Sequence, residues 1–205
     1  SISNALANNN MRSVYIQQNS SLRRSMMLIL PCVVGLFVLA EPIIKFLFEY
    51  GAWTSESTHA VALAIMIQVF VLPAMLVSQI YSKTLYAAQD VKTPVKTSMI
   101  SLTVAAILYL TLFPVIGYLA IPVGVVVSGY LKNYLLGRAC HKRGLAKHDG
   151  RTLRSIIAFG AWATLLGFAL KTITISSIWI LGLAIGGYGI IYLPVAYIID
   201  RKIHA

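Results

Sequence analysis

Long apolar runs separated by short polar connections dominate this chain and limit what it can fold into. An α-helix needs about 20 apolar residues to cross a hydrocarbon core about 30 Å thick. Runs close to that length predict six spans, at Met26–Phe48, His59–Leu85, Val95–Phe113, Leu119–Leu136, Ser155–Leu170 and Ile178–Ile199. Lipid is therefore the predicted solvent for most of the chain.

The composition agrees with a membrane protein and the run lengths favour helices. The chain is 58% hydrophobic and 11% charged, with a mean hydropathy of +0.78, whereas soluble domains average about 45–50% apolar and about 25% charged residues. A β-barrel would need strands of about ten residues with alternating polarity, but these runs are continuous. We predict an all-α, polytopic transmembrane bundle of about six helices, with a cytoplasmic leader at 1–25 and the bundle at 26–205.

The positions of lysine and arginine predict the orientation of the bundle. If the leader is cytoplasmic, only Lys45 and Lys171 of the 17 basic residues fall at the outer helix ends. Cytoplasmic loops carry such an excess of basic residues, so both ends of the chain are predicted to be cytoplasmic. The net charge of +11 then faces anionic lipid headgroups, and membrane lipids rather than nucleic acid are the predicted partners.

The reactive residue types form no pattern typical of an enzyme or a metal site. Cys32 lies within the first span and Cys140 at the cytoplasmic end of the fourth, where neither is placed for a disulfide. The four histidines lack metal-ligand spacing, and there is no catalytic triad or phosphate-binding glycine loop. We therefore expect neither enzymatic activity nor a metal or other cofactor.

Polar residues and prolines inside the spans are candidates for a substrate path. Asn133 and Lys132 in the fourth span would be costly facing lipid. Hydrogen bonding between helices is the favoured explanation for Asn133, and extension toward the headgroups explains Lys132 equally well. Pro73 is a candidate hinge, although neighbouring groups can also stabilise a proline in a static helix. Close helix packing is predicted at Gly124-x-x-x-Ser128, Ala163-x-x-x-Gly167 and Gly182-x-x-x-Gly186.

Three stretches of sequence carry a family resemblance. They are residues 41–54, which end in F-E-Y-G-A-W-T, then Leu72-Pro73-Ala74, and then residues 85–96, which read L-Y-A-A-Q-D-V-K-T-P-V-K. Their order and spacing resemble the carboxyl-terminal lobe of the lipid II flippase family MurJ, also called MviN. The resemblance implies spans nine to fourteen of a fourteen-helix carrier in the multidrug/oligosaccharidyl-lipid/polysaccharide (MOP) exporter superfamily.

The resemblance also implies a function, a location and partners. A carrier of this family would move lipid II, an undecaprenyl-pyrophosphate-linked peptidoglycan precursor, across the bacterial inner membrane by alternating access. The amino-terminal lobe would be a partner, and the last two spans would form a groove for the lipid tail. The chain begins at Ser1 without an initiator methionine, so we expect it to be part of a longer protein.

The segment from Asp90 to Pro94 matches the family pattern and has two interpretations. As a helix start, Thr93 would be the N-cap and Pro94 the first helical residue. As part of an inner gate, Asp90 would pair with a basic residue such as Lys83 or Arg138, and Lys92 would lie beside it. Some members of the resembling family bind sodium through asparagine or aspartate in the next span. Residues 104–112 contain neither residue, which argues against a sodium site at that position.

Other functions fit the sequence less closely. The runner-up is another transporter of the same superfamily, such as a flippase for another polyprenyl-linked glycan. A drug or cation antiporter of the same superfamily should have a carboxylate buried in a span, and none is predicted here. A non-transporting membrane scaffold is an alternative of another class, and a membrane-embedded transferase ranks last because no catalytic residues are evident.

Overall fold

The computed structural model describes residues 11–51, 53–146, 150–171 and 178–204. For residues 151, 169–171, 178–186 and 202–204 it describes the backbone alone. The described residues form α-helices and no strand, which confirms the predicted all-α class. The helices are α1 (Met11–Phe48), α2 (Ser55–Gln68), α3 (Val71–Ala87), α4 (Lys92–Ile116), α5 (Ala120–Lys142), α6 (Gly150–Lys171) and α7 (Ile178–His204).

The first helix is longer than a membrane span. Its 38 residues correspond to about 57 Å at a rise of about 1.5 Å per residue. Because the hydrocarbon core is about 30 Å thick, α1 extends well beyond it. The predicted boundary at residue 25 falls inside this continuous helix, and residues 1–10 of the leader lie outside the described residues. The division into leader and bundle stays a prediction.

The second span is broken into α2 and α3. The break lies at Val69 and Phe70, and Pro73 is the third residue of α3. Proline lacks an N–H, and its ring clashes with the carbonyl four residues earlier. That carbonyl belongs to Val69, and it accepts a hydrogen bond from the N–H of Leu72 at 3.1 Å instead. The physical cause of the break is therefore Pro73, a few residues beyond it.

The helices make six passes in the described part of the chain. Three continuous segments are long and apolar enough to span a membrane, namely Met11–Phe48, Ser55–Ala87 and Lys92–Lys142, and Thr152–Phe168 is a shorter apolar helix. The third segment contains two passes, because α4 and α5 fold back on each other through the 3₁₀ turn Gly117–Leu119. Gly117 has a φ of +58°, a conformation that glycine adopts readily.

Small residues allow the close packing that the sequence predicted. A side chain at Gly124 would collide with the Tyr109 ring of α4, and one at Gly167 would collide with Val34 of α1. These contacts confirm two of the three predicted small-residue packing sites. The surroundings of the third, Gly182-x-x-x-Gly186, lie outside the described residues. Besides α6, α1 packs against α2, α3 and α7.

The two ends of the bundle differ in chemistry. At one end, Arg23 of α1 pairs with Asp200 of α7 at 2.8 Å. At the other end, the Thr58 hydroxyl donates to Glu49 at 3.1 Å and accepts from the Trp53 indole N–H at 3.0 Å. The basic end gathers the beginnings of α1, α4 and α6 with the ends of α3, α5 and α7, which is the arrangement that the charge pattern predicts. Which end faces the cytoplasm stays a prediction.

Candidate functional site

Two similar turns lie side by side at the basic end. After α3, Gln89 has a φ of +60° and the Asp90 N–H bonds the Leu85 carbonyl at 2.9 Å. After α5, Gly144 has a φ of +65° and the Leu145 N–H bonds the Cys140 carbonyl at 2.8 Å. Both are Schellman motifs, which satisfy the last carbonyls of a helix. The side chains of Leu85, Cys140 and Leu145 belong to one buried apolar cluster.

Asp90 connects these turns to the start of α4. Its carboxylate accepts a hydrogen bond from the Thr93 N–H at 3.1 Å, so Asp90 caps α4 from one position before the N-cap residue Val91. The same carboxylate pairs with Arg143, in the turn after α5, at 2.8 Å. A side-chain hydrogen bond from Thr93 lowers the pKa of Asp90 most, and the Thr93 backbone N–H and the Arg143 charge lower it further.

These contacts change the interpretation of the Asp90–Pro94 segment. The helix begins at Lys92, so Thr93 and Pro94 are its second and third residues and Thr93 is not the N-cap. The partner of Asp90 is Arg143 rather than Lys83 or Arg138. Because Asp90 and Arg143 belong to the same bundle, their pair joins two connections within it, and this accounts for Asp90 without invoking a gate.

An open cavity with several polar residues in its lining lies between α3 and α5. This α3–α5 cavity has a volume of about 310 Å³ and is lined by Met75, Ser78, Gln79, Ser82, Lys83, Tyr86, Gly129 and Lys132. It brings together two of the three predicted lysines, Lys83 and Lys132. The Ser78 hydroxyl is buried and has no hydrogen-bond partner among the described residues. Buried polar groups usually have a partner, so the Ser78 hydroxyl is left unsatisfied in the wall of this cavity.

Asn133 faces a different cavity from its neighbour Lys132. This second space, the α5–α6 cleft, has a volume of about 710 Å³, and its polar lining includes Asn133, Arg138 and His141. Successive helical residues are about 100° apart around the axis, so adjacent residues need not share a cavity. The structure therefore separates two residues that the sequence analysis treated together. Lys92 is exposed and Pro94 is buried, and neither lines the α3–α5 cavity or the α5–α6 cleft.

A third cavity is almost entirely apolar. It has a volume of about 480 Å³ between α1 and α7 and includes Leu28, Leu36, Leu39 and Leu193 in its walls. We call it the α1–α7 groove. The sequence predicted a groove for the lipid tail between the last two spans. The α1–α7 groove instead lies between the last span and the first span. Behind it, the Tyr188 hydroxyl of α7 donates to the Ala163 carbonyl of α6 at 3.2 Å.

Two features of the site were missed from the sequence. The pairing of Arg143 with Asp90 had no local signal, because it depends on how the α3–α4 and α5–α6 connections meet. The polar face of α3 did have one, since Ser78 and Ser82, and likewise Gln79 and Lys83, recur four residues apart within an apolar span. Among the described residues, no three histidine, cysteine, aspartate or glutamate side chains come together as metal ligands.

Comparisons with known proteins identify the family. The family model described as "Lipid II flippase MurJ" matches residues 1–193. A probable lipid II flippase MurJ of Rhizobium meliloti (strain 1021) is 32% identical over 152 residues, covering 74% of this chain and 28% of that protein. The corresponding protein of Rhizobium tropici is 29% identical over 197 residues, covering 89% of this chain and 37% of that protein.

A solved structure has the same fold. The structure titled "Lipid II flippase MurJ, inward closed conformation" superimposes with a TM-score of 0.81 at 20% identity, covering 100% of this chain and 44% of that one. The chain thus spans less than half the length of these relatives. With 193 of its 205 residues matched by the family model, the chain belongs to the lipid II flippase MurJ family.

Proposed function

We propose that this chain is part of a carrier that moves lipid II from the inner to the outer leaflet of a bacterial cytoplasmic membrane by alternating access. The observation that carries the proposal is the family match over residues 1–193. Because the chain covers 28% and 37% of two relatives, we expect the carrier to include a further, amino-terminal lobe. The 205 residues alone should insert into a membrane without exposing lipid II at its outer face.

The α3–α5 cavity suits the polar part of such a substrate. Moving a pyrophosphate and a glycopeptide through hydrocarbon would cost many kcal/mol unless polar groups replaced their water. Lys83 and Lys132 offer two ammonium donors, and Ser78 and Gln79 offer neutral hydrogen-bonding groups in the same cavity. We assign these residues to the path of the headgroup, with the break before Pro73 as the hinge that lets α3 move.

The α1–α7 groove suits the polyprenyl chain. Its walls are aliphatic and aromatic, and a hydrocarbon tail loses nothing by leaving lipid for such a surface. The groove opens between the first and last helices, so a tail could stay in the membrane while the headgroup crosses. This division of labour requires no enzymatic step, in agreement with a family of carriers.

We further propose that both ends of the chain are cytoplasmic. The basic end contains Lys92, and the opposite end contains Ser57. Single cysteines at these positions, in a background without Cys32 and Cys140, test the orientation with a membrane-impermeant thiol reagent in intact cells. Ser57→Cys should be labelled, and Lys92→Cys should be labelled only after the membrane is opened. The reverse result would contradict the orientation.

The function itself is tested by lipid II exposure in cells that lack their own flippase. The full reading frame containing this chain should restore exposure of lipid II at the outer leaflet. Lys83→Met and Lys132→Met should each reduce it by about tenfold, the effect of losing one charge-assisted hydrogen bond. The matched control is Lys96→Met, which removes an exposed lysine that lines neither the α3–α5 cavity nor the α5–α6 cleft.

Other outcomes would favour the alternatives. Exposure of a different polyprenyl-linked glycan, with lipid II unmoved, would indicate a flippase of another substrate. Normal expression with no glycolipid exposed would contradict transport and favour a scaffold. If Lys96→Met were as harmful as Lys83→Met, the α3–α5 cavity would lose its assignment as the headgroup path.

A further inference from the structure

The α5–α6 cleft has no part in the transport path proposed above, and its walls combine two chemistries. Arg138 and His141 lie one helical turn apart on α5 and both line the cleft at the basic end. Tyr134, one turn before Arg138, lines it as well. The buried Thr152 hydroxyl of α6 belongs to the opposite wall. The end of the cleft nearest the α5–α6 connection is therefore cationic and rich in hydrogen-bond donors.

The arginine and the histidine of the cleft lack a carboxylate partner within the described part of the chain. No ion pair involves Arg138 or His141 there. The two described carboxylates at the basic end are already used, Asp90 by an arginine of the α5–α6 connection and Asp200 by one of α1. An arginine near the membrane is stabilised by an anion, and its planar fork matches two oxygens of a phosphate group.

Apart from Asn19 and Asn133, the rest of the cleft is open and lined mainly by apolar and aromatic residues. Met26 of α1, Val77 of α3 and Ile156 of α6 contribute to its walls. Although α5 and α6 are consecutive, they do not pack along each other, because α5 lies against α3 and α4 while α6 lies against α1 and α7. The result is a gap of about 710 Å³ with a cationic end and a largely apolar interior. An anionic phospholipid has the complementary pattern of one charged phosphate and apolar acyl chains.

We propose that the α5–α6 cleft binds one anionic phospholipid of the surrounding bilayer. Arg138 and His141 hold its phosphodiester, with Tyr134 and Thr152 as neutral hydrogen-bonding groups. An acyl chain lies along the apolar wall between α1, α3 and α6. This site differs from the α3–α5 cavity and the α1–α7 groove, so it does not depend on the substrate proposed for them.

The test is lipid binding by purified protein in detergent, measured as thermal stabilisation during titration with phosphatidylglycerol or with phosphatidylcholine. Phosphatidylglycerol should stabilise the protein at lower concentration than phosphatidylcholine. Arg138→Gln and His141→Gln should each weaken phosphatidylglycerol binding by about tenfold, because each removes a charge-assisted hydrogen bond. Lys142→Gln is the matched control, since it removes an exposed cation next to His141 that does not line the cleft.

Several results would overturn this assignment. Equal losses in Lys142→Gln and Arg138→Gln would show that only the overall basic charge attracts the lipid. Equal stabilisation by phosphatidylcholine would remove the role of charge, and equal stabilisation by inorganic phosphate would make the cleft a site for small anions. Displacement of phosphatidylglycerol by undecaprenyl pyrophosphate, sensitive to Arg138→Gln, would place the cleft in the substrate path instead. Failure of the transport test would leave this binding result unchanged.

Discussion

Replacing Asp90 separates its two structural roles. Asparagine keeps an oxygen that can accept the Thr93 N–H, so Asp90→Asn removes the charge and retains the cap. Alanine removes both. The Asp90 side chain is 9% exposed and the Arg143 side chain is 47% exposed, which makes their ion pair partly screened by solvent. The two substitutions should therefore differ mainly by the energy of the cap.

The expected magnitudes follow from these contacts. An N-cap contributes typically about 1 kcal/mol, and a solvent-exposed ion pair contributes about 0–1 kcal/mol. We expect Asp90→Asn to reduce the free energy of unfolding by about 0.5 kcal/mol, and Asp90→Ala to reduce it by about 1.5 kcal/mol. In a double-mutant cycle, Asp90→Asn combined with Arg143→Met should show a coupling energy of about 0.5 kcal/mol.

The assay is unfolding in mixed detergent micelles at increasing SDS, repeated over a range of pH. Because the pKa of Asp90 is lowered in the folded protein, its contribution is complete above the unfolded pKa of about 4. That contribution disappears as the pH falls through the folded pKa. The difference between wild type and Asp90→Asn should thus vanish at acidic pH. If Asp90→Asn and Asp90→Ala reduced the free energy of unfolding equally at neutral pH, the capping role would be refuted. The stabilisation by Asp90 would then come from its charge.

The remaining predictions concern packing, a buried hydrogen bond and a strained turn. Gly167→Ala should destabilise the bundle by about 1–3 kcal/mol through its collision with α1, whereas Gly160→Ala, with open space around it, should be neutral or stabilising by up to about 1 kcal/mol. Thr84→Val should cost about 1–3 kcal/mol because it leaves the buried Gln18 amide without the 3.1 Å bond to Thr84, and adding Gln18→Leu should recover part of that loss. Gln89→Gly should raise the free energy of unfolding by up to about 1 kcal/mol, since Gln89 has a φ of +60°. The same SDS unfolding series measures all of these, and a harmful Gly160→Ala, a silent Thr84→Val or a destabilising Gln89→Gly would contradict the respective contact.

Local sequence chemistry determined most of the architecture. The length and continuity of the apolar runs predicted six helical passes, because a helix that spans a membrane must satisfy its backbone internally over a fixed thickness. Pro73 predicted a kink or break in the second span, because a proline disrupts the hydrogen bonding of the helical turn that precedes it. The concentration of basic residues at one end also followed from sequence. Successive helices run in opposite directions, so the positions of the lysines and arginines along the chain are enough to assign each of them to one end of the bundle.

Tertiary packing decided which residues of these helices and connections lie together. Arg143 meets Asp90 because the turns after α3 and α5 stack on one apolar cluster, and no local pattern encodes that meeting. Lys132 and Asn133 are adjacent in sequence yet line different cavities. The sequence determines the angle between two side chains around the axis of their helix. The helix that packs against each side chain depends on how all the helices are arranged. The sequence thus determined the helices and their polarity, whereas the packing determined the contents of each cavity.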